Sequence, residues 1–309
     1  MRRASEGAER ASVAHPGRDV PCDWIPDARE RRDACPSHAS LAASAEAPPA
    51  YGVLSRAQKD LLYWVGRGSF LYATPWAVTR KTVRHQAMLL ISANREPFEL
   101  SVGPWQGRFT AAAVAPLTPR GLDARDVGLI SLHIGIRHPA FPDFRRVPRP
   151  GILPLDRDAF RAFDAGLSRA HGGALDRIEA QRLFEGLVST TVRQLPPRRG
   201  AKDPRHERAR ALVLDEPAIR LSEIAMRLEV SKTTASRIVA DAVGLPLRAY
   251  QFGRKCERVA ARLMNDAPLT QLAHESGFTD SAHLTHAWQR SFGHPPSYTR
   301  DPRHVRVIA

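Results

Sequence analysis

Lys232, Thr233, Ser236 and Arg237 lie within one short stretch, and a 3.6-residue period turns their side chains toward the same side of a helix. An ammonium, a guanidinium and two hydroxyls on one face can grip phosphates or read the edge of a base pair. Arg237 is the sharpest of the four, because its planar fork of N–H donors fits a guanine edge as well as a phosphate. Thr233 and Ser236 are short and reach few bases, and Lys232 suits a phosphate. A second set follows in Ser281, His283, Thr285 and His286, with Arg290 and Arg300 beyond as phosphate-gripping cations. Asp280 in front of this set suits a helix cap, since a carboxylate facing phosphates is repelled. Other reactive residue types are scattered. His85 and His133 stand apart from one another and do not make the convergent ligand set that an ion needs. Cys22, Cys35 and Cys256 form no CxxC pair, and neither of the first two has a conspicuous histidine partner. No catalytic residue, metal or cofactor is expected.

Each donor face needs a scaffold, and the apolar spacing supplies two of the same kind. Around the first set, Ile224, Ala225 and Leu228 precede a turn, Val230 follows it, and Ala235 and Ile238 resume the inner face. Around the second, Leu272 and Ala273 precede Gly277 and Phe278, and Leu284, Trp288 and Phe292 continue at helical spacing. Both read as helix, tight turn, helix: a small alanine lets the helices approach, and a left-handed residue makes the turn. The first module has Glu229 where glycine is usual, at a cost of about 1 kcal/mol. Between the modules a helical run from Pro246 to Asp266 spans on the order of 30 Å, close to the roughly 34 Å of one duplex turn.

The wording of the second module is more specific than its spacing. Gly277-Phe278, then Asp280-Ser-Ala-His-Leu-Thr285, an aromatic at Trp288, Phe292-Gly293 and Pro296 closely resemble the second helix-turn-helix of the AraC/XylS transcription regulators. Tyr250, Arg254, Glu257 and Arg258 resemble the linker helix of that family, whose members often have Arg where His286 stands. The resemblance is strong over residues 204–300 and weak over 68–195. It implies a DNA-binding regulator of transcription, more often an activator. Its partners would be double-stranded DNA and RNA polymerase, and its N-terminal cupin-like barrel would sense a small-molecule effector or form a homodimer.

Composition agrees in outline. The chain has 309 residues, a net charge of +14 and a pI near 10.7, values that favour a polyanionic partner. The basic surplus lies mostly in residues 51–199, however, and does not locate the site. No run approaches the ~20 apolar residues of a membrane span, so a cytoplasmic protein is expected. The fold class expected is α+β: a small N-terminal cupin-like β-barrel with following helices, then an all-α domain whose two helix-turn-helix motifs are joined by a linker helix. Residues 1–50 read as a disordered tail, 51–155 as the sensor, 156–203 as a helical connector and linker, and 204–309 as the tandem reader. Strands are expected over residues 69–73, 83–92, 98–102, 109–115 and 127–136. The leucines of 175–195 suit either packing on the barrel or pairing with a second copy. Two rival classes remain at this level: a low-specificity basic DNA-binding protein, and a regulator fused to a cysteine alkyltransferase.

Overall fold

Alternating apolar residues build the N-terminal half, and in the computed structural model, which describes residues 59–198, 203–265 and 267–308, they fall on two faces of one sheet. The strands are β1 (Asp60–Gly66), β2 (Ser69–Thr82), β3 (Ala87–Ser92), β4 (Phe98–Val102), β5 (Trp105–Phe109), β6 (Ala111–Val114), β7 (Arg120–Ile134) and β8 (Ile152–Pro154). On one face Met88, Leu90, Phe98, Leu100, Phe109, Leu122 and Leu129 form a core of their own. On the other, Leu89, Ile91, Ile130, Leu132 and Ile134 lie under the helices. The long β7 pairs with β2 along its length, with β4 near its start and with β3 toward its end. The expected tail and two of the cysteines, Cys22 and Cys35, lie outside the described residues.

Each expected strand region carries a strand, with instructive differences. β2 runs on past Pro75, which sits where the register with β7 shifts, so the missing N–H removes no ladder bond. β1 has no alternation to detect, because both of its faces are covered from Asp60 to Tyr63.

Two helices follow, α1 (Asp164–His171) and α2 (Arg177–Gln194). α2 opens on a reciprocal cap between Asp176 and Glu179. Its apolar stripe, Leu183, Phe184, Leu187 and Val188, is buried against the chain's own sheet. Leu187 is fully buried. Leu187→Glu should therefore cost folding rather than assembly, by several kcal/mol for an unpaired buried charge. A thermal melt of the variant that matched the wild type would contradict this placement.

The C-terminal half is helical: α3 (Arg205–Asp215), α4 (Leu221–Arg227), α5 (Lys232–Val243), α6 (Leu247–Arg262), α7 (Leu269–Ser276), α8 (Ser281–Phe292) and α9 (Pro296–Arg300). It ends in a strand that sequence reasoning did not anticipate. β9 (Val305–Ile308) returns to the sheet and lies parallel to β1, with Asp60 opposite Val305 and Tyr63 opposite Ile308.

Candidate nucleic-acid interface

The two helix-turn-helix units share one turn bond and one form of cap, with Thr279 lengthening the second connection by a residue. In the first, α4 and α5 flank a turn in which Glu229 takes a left-handed φ of 56°, and Val230 N–H donates to the Ala225 carbonyl at 3.0 Å. In the second, α7 and α8 flank Gly277 at φ 86°, and Phe278 N–H donates to the Ala273 carbonyl at 2.9 Å. The small alanines are both buried, as the close approach requires. Each second helix starts on a side-chain cap: Ser231 Oγ accepts from Thr234 N–H at 3.2 Å, and Asp280 Oδ1 accepts from His283 N–H at 2.7 Å.

The inner face of α5 is Ala235, Ile238, Val239, Ala242 and Val243, and that of α8 is Leu284, Ala287, Trp288, Ser291 and Phe292. Those positions fix what points outward. On α5, Lys232, Thr233 and Arg237 are exposed and Ser236 is half-buried. On α8, His283 and His286 are exposed while Ser281 and Thr285 are half-buried. The helical register makes Arg237 and His286 counterparts. One outward residue escaped the sequence reading: Gln289 is exposed one turn beyond His286. Its amide can bond an adenine edge in two places. The signal was the same period carried one turn further. The position matching it on α5 is Ala240, which offers no donor.

Three other predicted residues stand differently from a free contact. The His283 ring packs edge-on against Phe278, with centroids 5.2 Å apart, and lies near Phe252 of α6. Arg290 is exposed, but its carbonyl accepts from Val83 N–H of the sheet domain at 2.9 Å. Arg300 is engaged within the fold. Its guanidinium donates to the carbonyls of Asn265 and Ala267, at 2.7 Å for the latter, and so ties down the connection between α6 and α7. Arg258 is similarly engaged on the Ser276 carbonyl at 2.9 Å.

The sheet domain holds both modules. At the first, Arg145 pairs with Asp241 of α5 at 3.0 Å, and Gly244 leaves room for Phe141. On the linker helix, the buried Glu257 accepts from Ile136 N–H at 3.0 Å and from Arg137 Nε at 3.1 Å. Gly68 is required opposite, since a Cβ there would lie 2.3 Å from Glu257 Oε1. At the second module, Leu62, Phe70 and Tyr72 of the sheet share one core with Trp288, Phe292 and Val305.

Beneath that core Arg84 and His133 are buried together. An Arg84 nitrogen lies 2.8 Å from His133 Nε2, the His133 ring stacks on Phe70, and the guanidinium sits 5.1 Å from the Phe292 ring. Among the described residues Arg84 Nε has no hydrogen-bond partner. The chamber around them, bounded by Trp64, Tyr72, Leu263 and Trp288, is small, about 30 Å³. A larger cleft of about 600 Å³ opens between β1 and α2, where His138 lies 3.2 Å from Glu185. His85 packs beside Phe252. Cys256 is buried, and that burial pushes its thiol up to about 12.

The junction of the second module with the sheet holds neutral imidazoles. Burial lowers His85 and His294 to about 4 each, with Arg290 and Arg84 respectively repelling the charged forms, and burial also holds His133 far below its ordinary value. A histidine whose folded value is depressed lends stability that is present above its ordinary 6.5 and lost as pH falls toward 4. Asp60, pushed up by burial, works in the opposite direction, since acid relieves the cost of its charge. Glu257, raised by burial on the linker helix, acts as Asp60 does, yet three imidazoles against two carboxyls favour loosening in acid, with His294 alone contributing on the order of 3 kcal/mol at full protonation. Hydrogen exchange of α8 and β9 between pH 7 and pH 4 should show protection falling; unchanged protection would refute the assignment.

Against known proteins, a helix-turn-helix domain family matches residues 224–301. Among solved structures the chain is similar to ToxT from Vibrio cholerae, with a TM-score of 0.45 and 11% identity, covering 74% of this chain and 96% of that one. It is similar to the C-terminal domain of AraT, a response regulator from Geobacillus stearothermophilus, with a TM-score of 0.28 and 20% identity over 35% of this chain and 92% of that one. It is also similar to the AraC-like transcriptional activator CuxR, with a TM-score of 0.35 and 14% identity over 65% and 80% of the two chains. No curated protein matches.

Proposed function

We propose that this chain, whose C-terminal residues 224–301 form a helix-turn-helix domain of the AraC/XylS type, regulates transcription by binding a specific double-stranded DNA sequence through both modules at once. The observation that carries the reading is the repeated geometry: two modules with the same turn bonding and caps present matching outward faces, with Arg237 at the centre of one and His286 and Gln289 on the other. No helix among the described residues is long and apolar enough to cross a membrane, and the protein is read as acting on DNA in the cytoplasm. Activation through contact with RNA polymerase is the mode assigned to it. The cysteine-enzyme rival would rest on Cys22 or Cys35, neither of which has a conspicuous histidine partner in the sequence, and the buried Cys256, its thiol pushed up to about 12, does not offer a thiolate in their place.

Competition between a duplex selected from a random pool and random DNA, across a salt series, tests the reading. A regulator keeps a preference for the selected duplex at every salt concentration, whereas a low-specificity basic binder shows only the salt slope.

An effector site is part of the same proposal. Arg84 is a buried cation whose Nε has no partner among the described residues, in an apolar setting where an uncompensated charge is costly. An anionic group would complete it. Ligand pockets typically run to about 300–1,000 Å³, so a chamber of about 30 Å³ admits such a molecule only if Trp288 and Phe292 move. Entry of the effector would thereby shift the second reading module, which couples the ligand to DNA. Arg84→Met should remove any effector dependence of DNA binding while leaving the fold intact; calorimetry showing equal effector binding by the variant would defeat this assignment.

A further inference from the structure

Arg80 and Lys81 are consecutive in β2, yet both are exposed, whereas consecutive residues of a regular strand point to opposite faces. The register explains it. Thr79 pairs with Leu122 and Thr82 with Arg120, so two residues of β2 face only Gly121 on β7. This is a β-bulge, a device that re-aims side chains. Gly121 has no alternative there, since a Cβ would lie 2.8 Å from the Arg80 carbonyl and 2.5 Å from Ser101 Oγ.

The bulge stands beside the recognition helix of the second module. Val83 N–H donates to the Arg290 carbonyl in the last turn of α8 at 2.9 Å, and the Arg84 guanidinium sits 5.1 Å from Phe292. The chain that turns out of the bulge thus abuts the C-terminal end of α8. A helix of 12 residues is roughly 18 Å long, whereas the major groove is about 12 Å wide. With the N-terminal turns of α8 on the bases, its far end reaches the phosphate rail at the edge of the groove. Arg290 is already exposed there.

We infer that Arg80 and Lys81 grip backbone phosphates flanking the segment read by α8, making the sheet domain itself a third point of contact with the duplex. This rests on the regulator reading, and it gives a place to part of the basic surplus that lies outside the reader modules. The contact is sequence-independent and adds affinity and register rather than preference.

The test uses the full chain, a duplex that it selects from a random-sequence pool, and fluorescence anisotropy over a potassium chloride series. R80A/K81A should bind selected and random duplexes about tenfold more weakly at physiological salt, with a salt slope lower by about 1.8, or roughly 0.9 for each phosphate released. The ratio between selected and random duplexes should not change, and R80K/K81R should restore the slope. Trimming the duplex on the side of the second module should weaken the wild type and leave R80A/K81A unaffected. A double variant that keeps the wild-type slope and affinity overturns the inference while the regulator reading stands. A wild-type chain that binds no duplex overturns both.

Discussion

Arg237→Ala is expected to erase the preference at one position of the recognised sequence, with a loss of roughly 1–3 kcal/mol against the selected duplex, or about 5- to 150-fold. Random DNA should be bound only slightly less well, because one exposed cation contributes little outside a specific contact. Position on α5 is the reason. Arg237 lies opposite the buried Ala235, Ile238 and Val239 and is exposed, with the short Thr233 and Ser236 beside it on the helix's outward face. Arg237→Lys distinguishes the two roles open to this side chain. It keeps the charge but loses the two-pronged donor geometry, so it should behave as Ala does if a guanine is read and as wild type if a phosphate is gripped. Arg290→Ala provides the contrast, since it should weaken all sequences alike. Preference measured by competition and unchanged in Arg237→Ala would move the base contacts to Thr233 or to the second module.

The second large effect is expected at Glu257. Its carboxylate is buried on the linker helix and accepts from Ile136 N–H, while Arg137 and Arg254 approach it at 3.1 and 3.6 Å. Glu257→Ala strands a buried amide, worth about 1–3 kcal/mol, and removes the counter-charge of two arginines. Arg137 is 42% exposed, so solvent softens its share. A net loss of about 2–3 kcal/mol is expected, read as a lower Tm. The linker helix should loosen from the sheet before the modules melt. Glu257→Gln keeps an acceptor for Ile136 and should lose less. Equal melting of Glu257→Ala and wild type would remove this contact from the forces that join sheet and reader.

The reader was the legible part. Its inner positions carry a helical period, its turns carry Gly277 or the departure at Glu229, and its caps are Ser231 and Asp280, all local features that sequence displays directly. Gln289 follows from the same period carried one turn further along α8. The sheet was legible where runs of β-formers lie between Pro and Gly, as over β3, which is buried on both faces, whereas β1, equally covered from Asp60 to Tyr63, offered no alternation either. What no local pattern conveyed was how the two halves meet. The Glu257 contact joins residues 121 positions apart in sequence, and Arg300, a plausible phosphate ligand from its place in the motif, is drawn to carbonyls that only the folded chain brings to it. The long-range bonds decide which cations remain available to DNA.

β9 bears on the order in which the molecule is made. The outer edge of β1 has no partner until residues 305–308 arrive, because Asp60 N–H donates to the His304 carbonyl and the Asp60 carboxylate accepts from Tyr298 at 3.2 Å. Those residues are made long after β1. Until they arrive the sheet carries an open strand edge, which is where nascent chains pair wrongly with one another. Residues 305–308 close it, so their deletion should show first as a lower yield of soluble protein.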